Sequence, residues 1–499
     1  MEILSNLELG LLTAATANNL WYSFLGCLLG TLIGVLPGLG PAATIAMLMP
    51  ATFTLEPTSS LIMLAGIYYG AQYGGSATAI LVNIPGESSS IMTTLDGHQM
   101  ARQGRAGQAL AAAAISSFIA GTIATVLIAG FAPALAKVAL AFEAPEYFGL
   151  VLLGLVTVMF LSSGSMIKAL IMMLVGVALG TVGADVTSGQ TRLTLAIPEL
   201  YDGLNIIAVA MGIYGLGDII YNIQGGDSRP MYKSTIRSLV LSKQELKAIV
   251  APSLRGTALG SLLGVLPGGG AMLSSFAAYV LEKKISRHPE RFGKGEIAGV
   301  AAPEAANNAG AQTSFIPFMT IGIPSNVVIA LMAGTLLLQG IRPGPSMITE
   351  QPQLFWGLVV SMWIGNLILV VLNLPLVGIW VKLLSVRYEW LFPSILVFCC
   401  IGVFTVNNGT FLIYVMIVFG VVGYFLRVIN VEPAPLLIGM VLGPSLEEYL
   451  LRTMLINDGS LVVLFQRPIA ATLIAMTIAV VLLKAFPGVR TLLRKVDES

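Results

Sequence analysis

The sequence predicts an all-α polytopic membrane protein of about 12 spans, built on inverted-topology repeats. Three observations carry that expectation. First, 56% of the 499 residues are apolar and only 10% are charged, against about 25% charged in an average soluble domain. Second, apolar stretches long enough to cross a bilayer recur along the whole chain, among them 59–82, 107–135, 144–163, 165–184, 203–222, 354–382 and 459–484. They are too long, and alternate too little, for outer-membrane strands. Third, a segment near the start recurs far downstream: 26–41 reads GCLLGTLIGVLPGLGP and 256–271 reads GTALGSLLGVLPGGGA, identical at 10 of 16 positions with an offset of 230.

The composition also excludes function classes. Lys and Arg number 26 against 25 Asp and Glu, so there is no basic stripe for nucleic acid. Three Cys exclude a disulfide scaffold, and two His leave little room for a His-rich metal site. No P-loop, His-Glu-x-x-His or metal-spaced cysteine motif is present. Neither an enzyme nor a cofactor is therefore expected.

Charge placement sets the expected orientation. Arg102 is the first Lys or Arg of the chain, so no secretory leader is expected and the N-terminus is expected outside. The stretch 223–255 carries Arg229, Lys233, Arg237, Lys243, Lys247 and Arg255 and is expected to be a cytoplasmic basic loop, as is the tail with Arg490, Arg494 and Lys495. The first copy of the repeat is flanked by segments without Lys or Arg. The second lies between that basic loop and Lys283, Lys284, Arg287, Arg291 and Lys294. An inverted repeat is the simplest reading; a parallel duplication is the alternative. The expected organisation is a first repeat over 1–222, with a hairpin at about 18–54 and a broken helix at about 59–100. After the 223–255 loop comes a second repeat over 256–450, with a hairpin at about 248–281 and a broken helix at about 297–340. A last span and tail fill 451–499.

Gly26, Gly30 and Gly34, and again Gly256, Gly260 and Gly264, recur every four residues. They line one helix face and allow close helix approach. Each helix then meets a Pro-Gly turn containing Gly38 and Gly40, or Gly268, Gly269 and Gly270. The turn reads as the tip of a re-entrant hairpin, or as a surface turn between two ordinary spans. Beyond each hairpin lies a second matched pair at an offset of 239: Asn83-Ile84-Pro85-Gly86 and Gly322-Ile323-Pro324-Ser325. These read as helix breaks, or as simple proline kinks. The N–H groups freed at a break must face protein, water or ligand, and a following half-helix offers them to an anion. Gly86, Ser88, Ser89 and Ser90, with Ser325 and Asn326 and the tip glycines Gly38, Gly40, Gly268, Gly269 and Gly270, are the candidate carboxylate-binding residues. The carbonyls and amides of Asn83, Asn307, Asn308 and Gly322 are candidates for a hard cation such as sodium. Glu87, Asp96 and Glu304 are charged groups at these segments. Glu87 could cap a half-helix or compete with an anionic substrate. Asp96-Gly97-His98 is expected to close a helix at an aqueous face.

The stretches GVLPGLGPAATIAMLMP, YYGAQYGGSATAILVNIPGESSSIMTTLDGHQMARQGRAGQAL and PEAANNAGAQTSFIPFMTIGIPS resemble the large membrane subunit of the tripartite tricarboxylate transporters, the TctA family. A fainter match is TRLTLAIPELYDGLNIIAVAMGIYGLGDII. One departure is Ser325, where the resemblance leads one to expect glycine. The resemblance implies the translocating subunit of a secondary transporter in the bacterial inner membrane. Its expected partners are a small TctB-like membrane subunit and a periplasmic TctC-like solute-binding protein. The implied substrates are di- and tricarboxylates such as citrate, driven by a sodium or proton gradient without ATP. The hairpins and breaks also resemble those of elevator-type carboxylate transporters. A stand-alone carboxylate transporter or exchanger is the alternative. A membrane enzyme or an ion channel would need a constellation or pore that the sequence does not offer.

Overall fold

The computed structural model describes residues 2–36, 40–83, 85–161, 165–185, 190–223, 236–266, 270–384, 388–407 and 409–485. The described residues are helical almost throughout; among them one ribbon pairs Gly183–Ala184 antiparallel with Thr191–Arg192. Among the described residues four helices are long and apolar enough to cross a membrane: Ala106–Ala139, Pro352–Asn373, Phe411–Val428 and Ala434–Ile456. Shorter apolar helices, such as Ala144–Phe160 and Met166–Gly180, account for much of the rest.

Each repeat is a hairpin followed by a broken helix. The first hairpin comprises Ala17–Gly34 and Pro41–Leu48; the second comprises Lys243–Gly264 and Gly270–Ile285. The second hairpin reaches back into the stretch expected to be loop. Ser242 and Glu245 form a reciprocal capping box that starts the helix at Lys243. Reading the charged residues as loop missed that start. The tip residues Gly38, Gly268 and Gly269 lie outside the described residues.

The glycine faces pack against the broken helices in the same way in both copies. A Cβ on Gly26, Gly30 or Gly34 would lie 2.3–2.4 Å from the carbonyl oxygens of Met63, Ile67 and Ala71. A Cβ on Gly256, Gly260 or Gly264 would meet those of Ala302, Ala306 and Gly310 at 2.3–2.4 Å. The partners differ by the offset of 239 that relates the two breaks. Backbone thus touches backbone, and any side chain would force the helices apart.

The two copies run in opposite directions. The first broken helix starts at Pro57, beside the residue that closes the second: Gln339 Nε2 donates to Leu55 O at 3.2 Å. The second starts at Ala298, where the first segment ends. There Gln103 Nε2 donates to Lys294 O at 2.8 Å, and Arg105 pairs with Glu245 at 3.3 Å. The basic segments around 102–105, 243–247 and 283–294 therefore share one end of the molecule. The Lys- and Arg-free segment around 50–57 lies at the other.

Candidate functional site

The two helices that precede the breaks cross antiparallel. Ser76 Oγ lies 2.8 Å from Glu304 Oε2, and the rings of Tyr69 and Phe315 are 6.2 Å apart. Helix Pro57–Val82 ends at Asn83, and helix Phe315–Ile321 ends at Gly322. Both terminal residues are left-handed, with φ of 61° and 83°. Glycine takes this conformation freely, and asparagine is among the few other residues that tolerate it. The Gly322 N–H closes its helix onto Pro317 O and Phe318 O at 3.0 and 3.1 Å. Asn83 and Gly322, expected as cation ligands, thus have a demonstrable role in ending helices.

Beyond the break the chain folds back on its own helix. In the first copy Gly86 N donates to Gly75 O at 3.4 Å, and a Cβ on Gly86 would lie 2.3 Å from Gly75 Cα. In the second copy, at the same offset, Ser325 Oγ donates to Ser314 O at 3.1 Å. The glycine is sterically required in the first copy. In the second, a hydroxyl makes the corresponding contact, which accounts for the departure at Ser325. The hairpins reach the same places. A Cβ on Gly40 would lie 3.9 Å from Glu87 Cβ, and one on Gly270 4.0 Å from Asn326 Cβ.

The two breaks lead into different structures. After the second, Asn326 caps helix Val327–Leu338, its Oδ1 accepting from Ile329 N at 3.0 Å. After the first the helical path is irregular: a 3-10 turn at Ser88–Ser90 runs into an α-turn at Ile91–Thr93, a π-turn at Thr94–His98 and an α-turn at Gln99–Arg102. A regular α-helix with a side-chain cap follows the second break.

Glu87 stands where the second copy has Asn326. Its Oε1 accepts from Ser89 Oγ at 2.5 Å and from Asn307 Nδ2 at 3.1 Å. Ser90 Oγ donates to the Glu87 carbonyl at 2.9 Å. Glu304 is buried, with the hydroxyls of Ser76 and Thr93 on its two oxygens. Among the described residues neither acid forms an ion pair. Glu304 is fully buried and Glu87 partly so, and burying a carboxylate away from a counter-charge is costly.

Several buried polar atoms at the junction make no hydrogen bond: Asn307 Oδ1, both amide atoms of Gln72, the Tyr69 hydroxyl and Asn326 Nδ2. The amide orientations are fixed by their other ends, since Asn307 Nδ2 serves Glu87 and Asn326 Oδ1 caps a helix. Asn307 Oδ1 therefore offers a free acceptor, while the Asn326 amide donor has the Tyr68 hydroxyl before it. Tyr68 joins the two breaks, its hydroxyl facing Ser314 and Asn326 and lying within electrostatic reach of Glu87.

Of the residues singled out from sequence, the structure gathers Gly40, Gly86, Ser89, Ser90 and Asn307 around Glu87. It places Gly270 and Ser325 around Asn326. Asn308 turns away, donating to Ser117 Oγ at 2.7 Å. The Ser88 side chain lies outside the described residues. Asp96 does not sit at an aqueous face. It is buried and accepts from Tyr279 Oη and the N–H groups of Gly293, Gly295 and Glu296 at 2.8–2.9 Å. It thereby fastens the first break to the loop after the second hairpin. Sequence reasoning missed Tyr68, Gln72 and Ser76. Their spacing of four along a buried helix is a polar stripe that was there to be read.

The fold and this junction define a multi-pass, all-α membrane protein with two antiparallel copies of one broken-helix unit at its centre. The chain belongs to the tripartite tricarboxylate transporter TctA family, whose model matches residues 20–438. It is 56% identical over 491 residues to a 52.8 kDa protein of Agrobacterium vitis designated by its place in the TAR-I ttuC' 3' region, covering 98% of each chain. It is also 56% identical over 232 residues to a protein of the TAR-II ttuC' 3' region of that organism, covering 46% of this chain and 96% of the relative. No solved structure matches the chain.

Proposed function

We propose that this protein is the translocating subunit of a cation-driven importer of di- and tricarboxylates, citrate-like in chemistry. In this reading it works in the bacterial inner membrane with a small membrane subunit and a periplasmic solute-binding protein. The N-terminus is periplasmic and the C-terminus cytoplasmic. The observation that carries the reading is the junction itself, where an unpaired acceptor, Asn307 Oδ1, and an amide donor, Asn326 Nδ2, lie in one buried crossing of two antiparallel breaks.

Acceptors attract cations and donors attract anions. Glu87 with Asn307 Oδ1 forms an oxygen-rich, partly anionic set that suits sodium; Asn83 and the Gly322 carbonyl are the further candidates, while Asn308, turned toward Ser117, is left out of the set. Asn326 Nδ2, Ser325 and the N-terminus of Val327–Leu338 favour a carboxylate, joined by Ser89, Ser90 and the glycines of the two tips. Cation and anion would then stabilise each other in one low-dielectric crossing, which couples their binding. Protons are the alternative coupling ion, with Glu87 and Glu304 as carriers. The hairpins and breaks would move together against the remaining helices, as in an elevator.

The test is uptake of radiolabelled citrate into proteoliposomes holding the chain, its small subunit and the binding protein. Uptake that needs both the binding protein and an inward sodium gradient is the expected result. A pH gradient acting alone would move the coupling to protons. Uptake without the binding protein would make the chain a stand-alone transporter. Absence of uptake for citrate and for every carboxylate the binding protein holds would overturn the reading.

A further inference from the structure

Away from the junction, a cavity of about 360 Å³ opens between the connection 342–346 and helix Ala434–Ile456. That volume lies within the range of small-molecule sites. Its lining includes Ile321, Arg342, Ser346, Tyr147, Tyr449 and Arg452. Ile321 is the last residue of the helix before the second break. The same connection presses on the break, where a Cβ on Gly322 would lie 2.6 Å from Pro343 O. Cavity and break therefore share a wall. The hydrogen bond from Gln339 to Leu55 places this connection at the end of the molecule where the first broken helix begins.

The cavity's two arginines differ in their pairing. Glu143 also lines it, and its carboxylate shares Arg467 with Glu146, each at 2.5 Å. Arg452 is paired with Glu448 at 2.6 Å. Arg342 forms neither an ion pair nor a hydrogen bond among the described residues. It lies, with Arg452, within electrostatic reach of the Tyr449 phenol. Tyr449 stacks on Tyr147 with centroids 5.0 Å apart and rings 16° from parallel. The result is a flat aromatic wall beside a guanidinium whose planar fork matches a carboxylate.

We propose that this cavity is a second carboxylate site, in which Arg342 holds one carboxylate of a small di- or tricarboxylate at the threshold of the second break. The proposal rests on the transport reading for its ligand class. It gives the incoming anion a holding point before it reaches Asn326. The tyrosine pair limits width and Ser346 offers a hydroxyl. Among the described residues, Arg342 is the lining cation whose guanidinium is not already held by a carboxylate, so an incoming carboxylate need not displace one.

The test uses the full chain in proteoliposomes, with Ser346→Cys as reporter in a Cys400→Ser background. Cys27 and Cys399 are buried. The introduced thiol should react faster with anionic sulfonatoethyl methanethiosulfonate than with its cationic trimethylammonium analogue, by about tenfold. Citrate or succinate at millimolar concentration should slow the reaction, and inorganic phosphate should slow it less. Arg342→Gln should erase both the anion preference and the protection, with Arg342→Lys restoring the preference. A thiol with no anion preference, or protection that survives Arg342→Gln, would overturn the proposal. Stronger protection by phosphate than by either carboxylate would overturn it too. Citrate uptake by the wild-type chain separates the two readings. Protection without uptake leaves the cavity site and removes the transport reading, and uptake without protection does the reverse.

Discussion

The two breaks share a framework and differ in chemistry. In both, a left-handed residue ends the helix, the next segment folds back onto the position eleven residues earlier, and a hairpin residue closes over the junction. The first then presents a carboxylate, Glu87, followed by short irregular turns. The second presents an amide, Asn326, followed by a 12-residue helix. A duplicated backbone can thus hold two unlike ligands, because geometry is set by glycine contacts and caps while charge is set by one residue at the exit.

The largest expected effect probes that exit residue. Glu87→Gln keeps the shape and removes the charge, so cation-driven citrate uptake should fall by about a hundredfold, the scale of losing one member of a buried charged hydrogen-bonded set. Normal uptake and an unchanged ion requirement would show that the two copies do not divide the work in this way. Next come the glycine faces, where the copies should behave alike. Gly30→Val and Gly260→Val each drive a side chain into a carbonyl and should destabilise by about 1–3 kcal/mol or more. Thermal unfolding in detergent reads the loss; a tolerated substitution in one copy only would break the equivalence. Thr93→Val strips a donor from Glu304 and should destabilise by about 1–3 kcal/mol, an effect that vanishes if Glu304 is first changed to Leu, which has no acceptor for the hydroxyl. The smallest effect is Asn326→Ala, which removes a cap from the second copy alone at about 1 kcal/mol. Hydrogen exchange should rise at the start of Val327–Leu338 and nowhere in 88–98.

Much of this plan was legible because it is written in residues with few alternatives. Glycines four apart and Pro-Gly turns at matched offsets fix close helix contacts and breaks almost regardless of their surroundings. The basic residues around 102–105, 243–247 and 283–294 are equally plain in the sequence, and the fold brings them to one end. What stayed hidden depends on long-range geometry. Asp96 looks like a loop residue, and only the fold brings Gly293, Gly295 and Glu296 to it. The capping box at Ser242 was present in sequence, yet its charged neighbours argued for loop. Asn308 and Asn307 are adjacent, and helix geometry sends one to Ser117 and the other to Glu87. The glycine at 86 and the serine at 325 differ because backbone fills the space in one copy and a hydroxyl does in the other.

The staple at Asp96 also sets a clock. Its three backbone donors lie 197 to 200 residues downstream. At about 5–20 residues per second of synthesis, the ribosome needs roughly 10–40 s to deliver them. Through that interval the segment beyond the first break emerges, enters its surroundings and waits with a charged group unsatisfied. The Thr93 and Glu304 partnership waits a similar time, with 211 residues between its members. The first half of the chain therefore cannot finish folding alone, and the bilayer must hold it, half-assembled, until its inverted twin arrives.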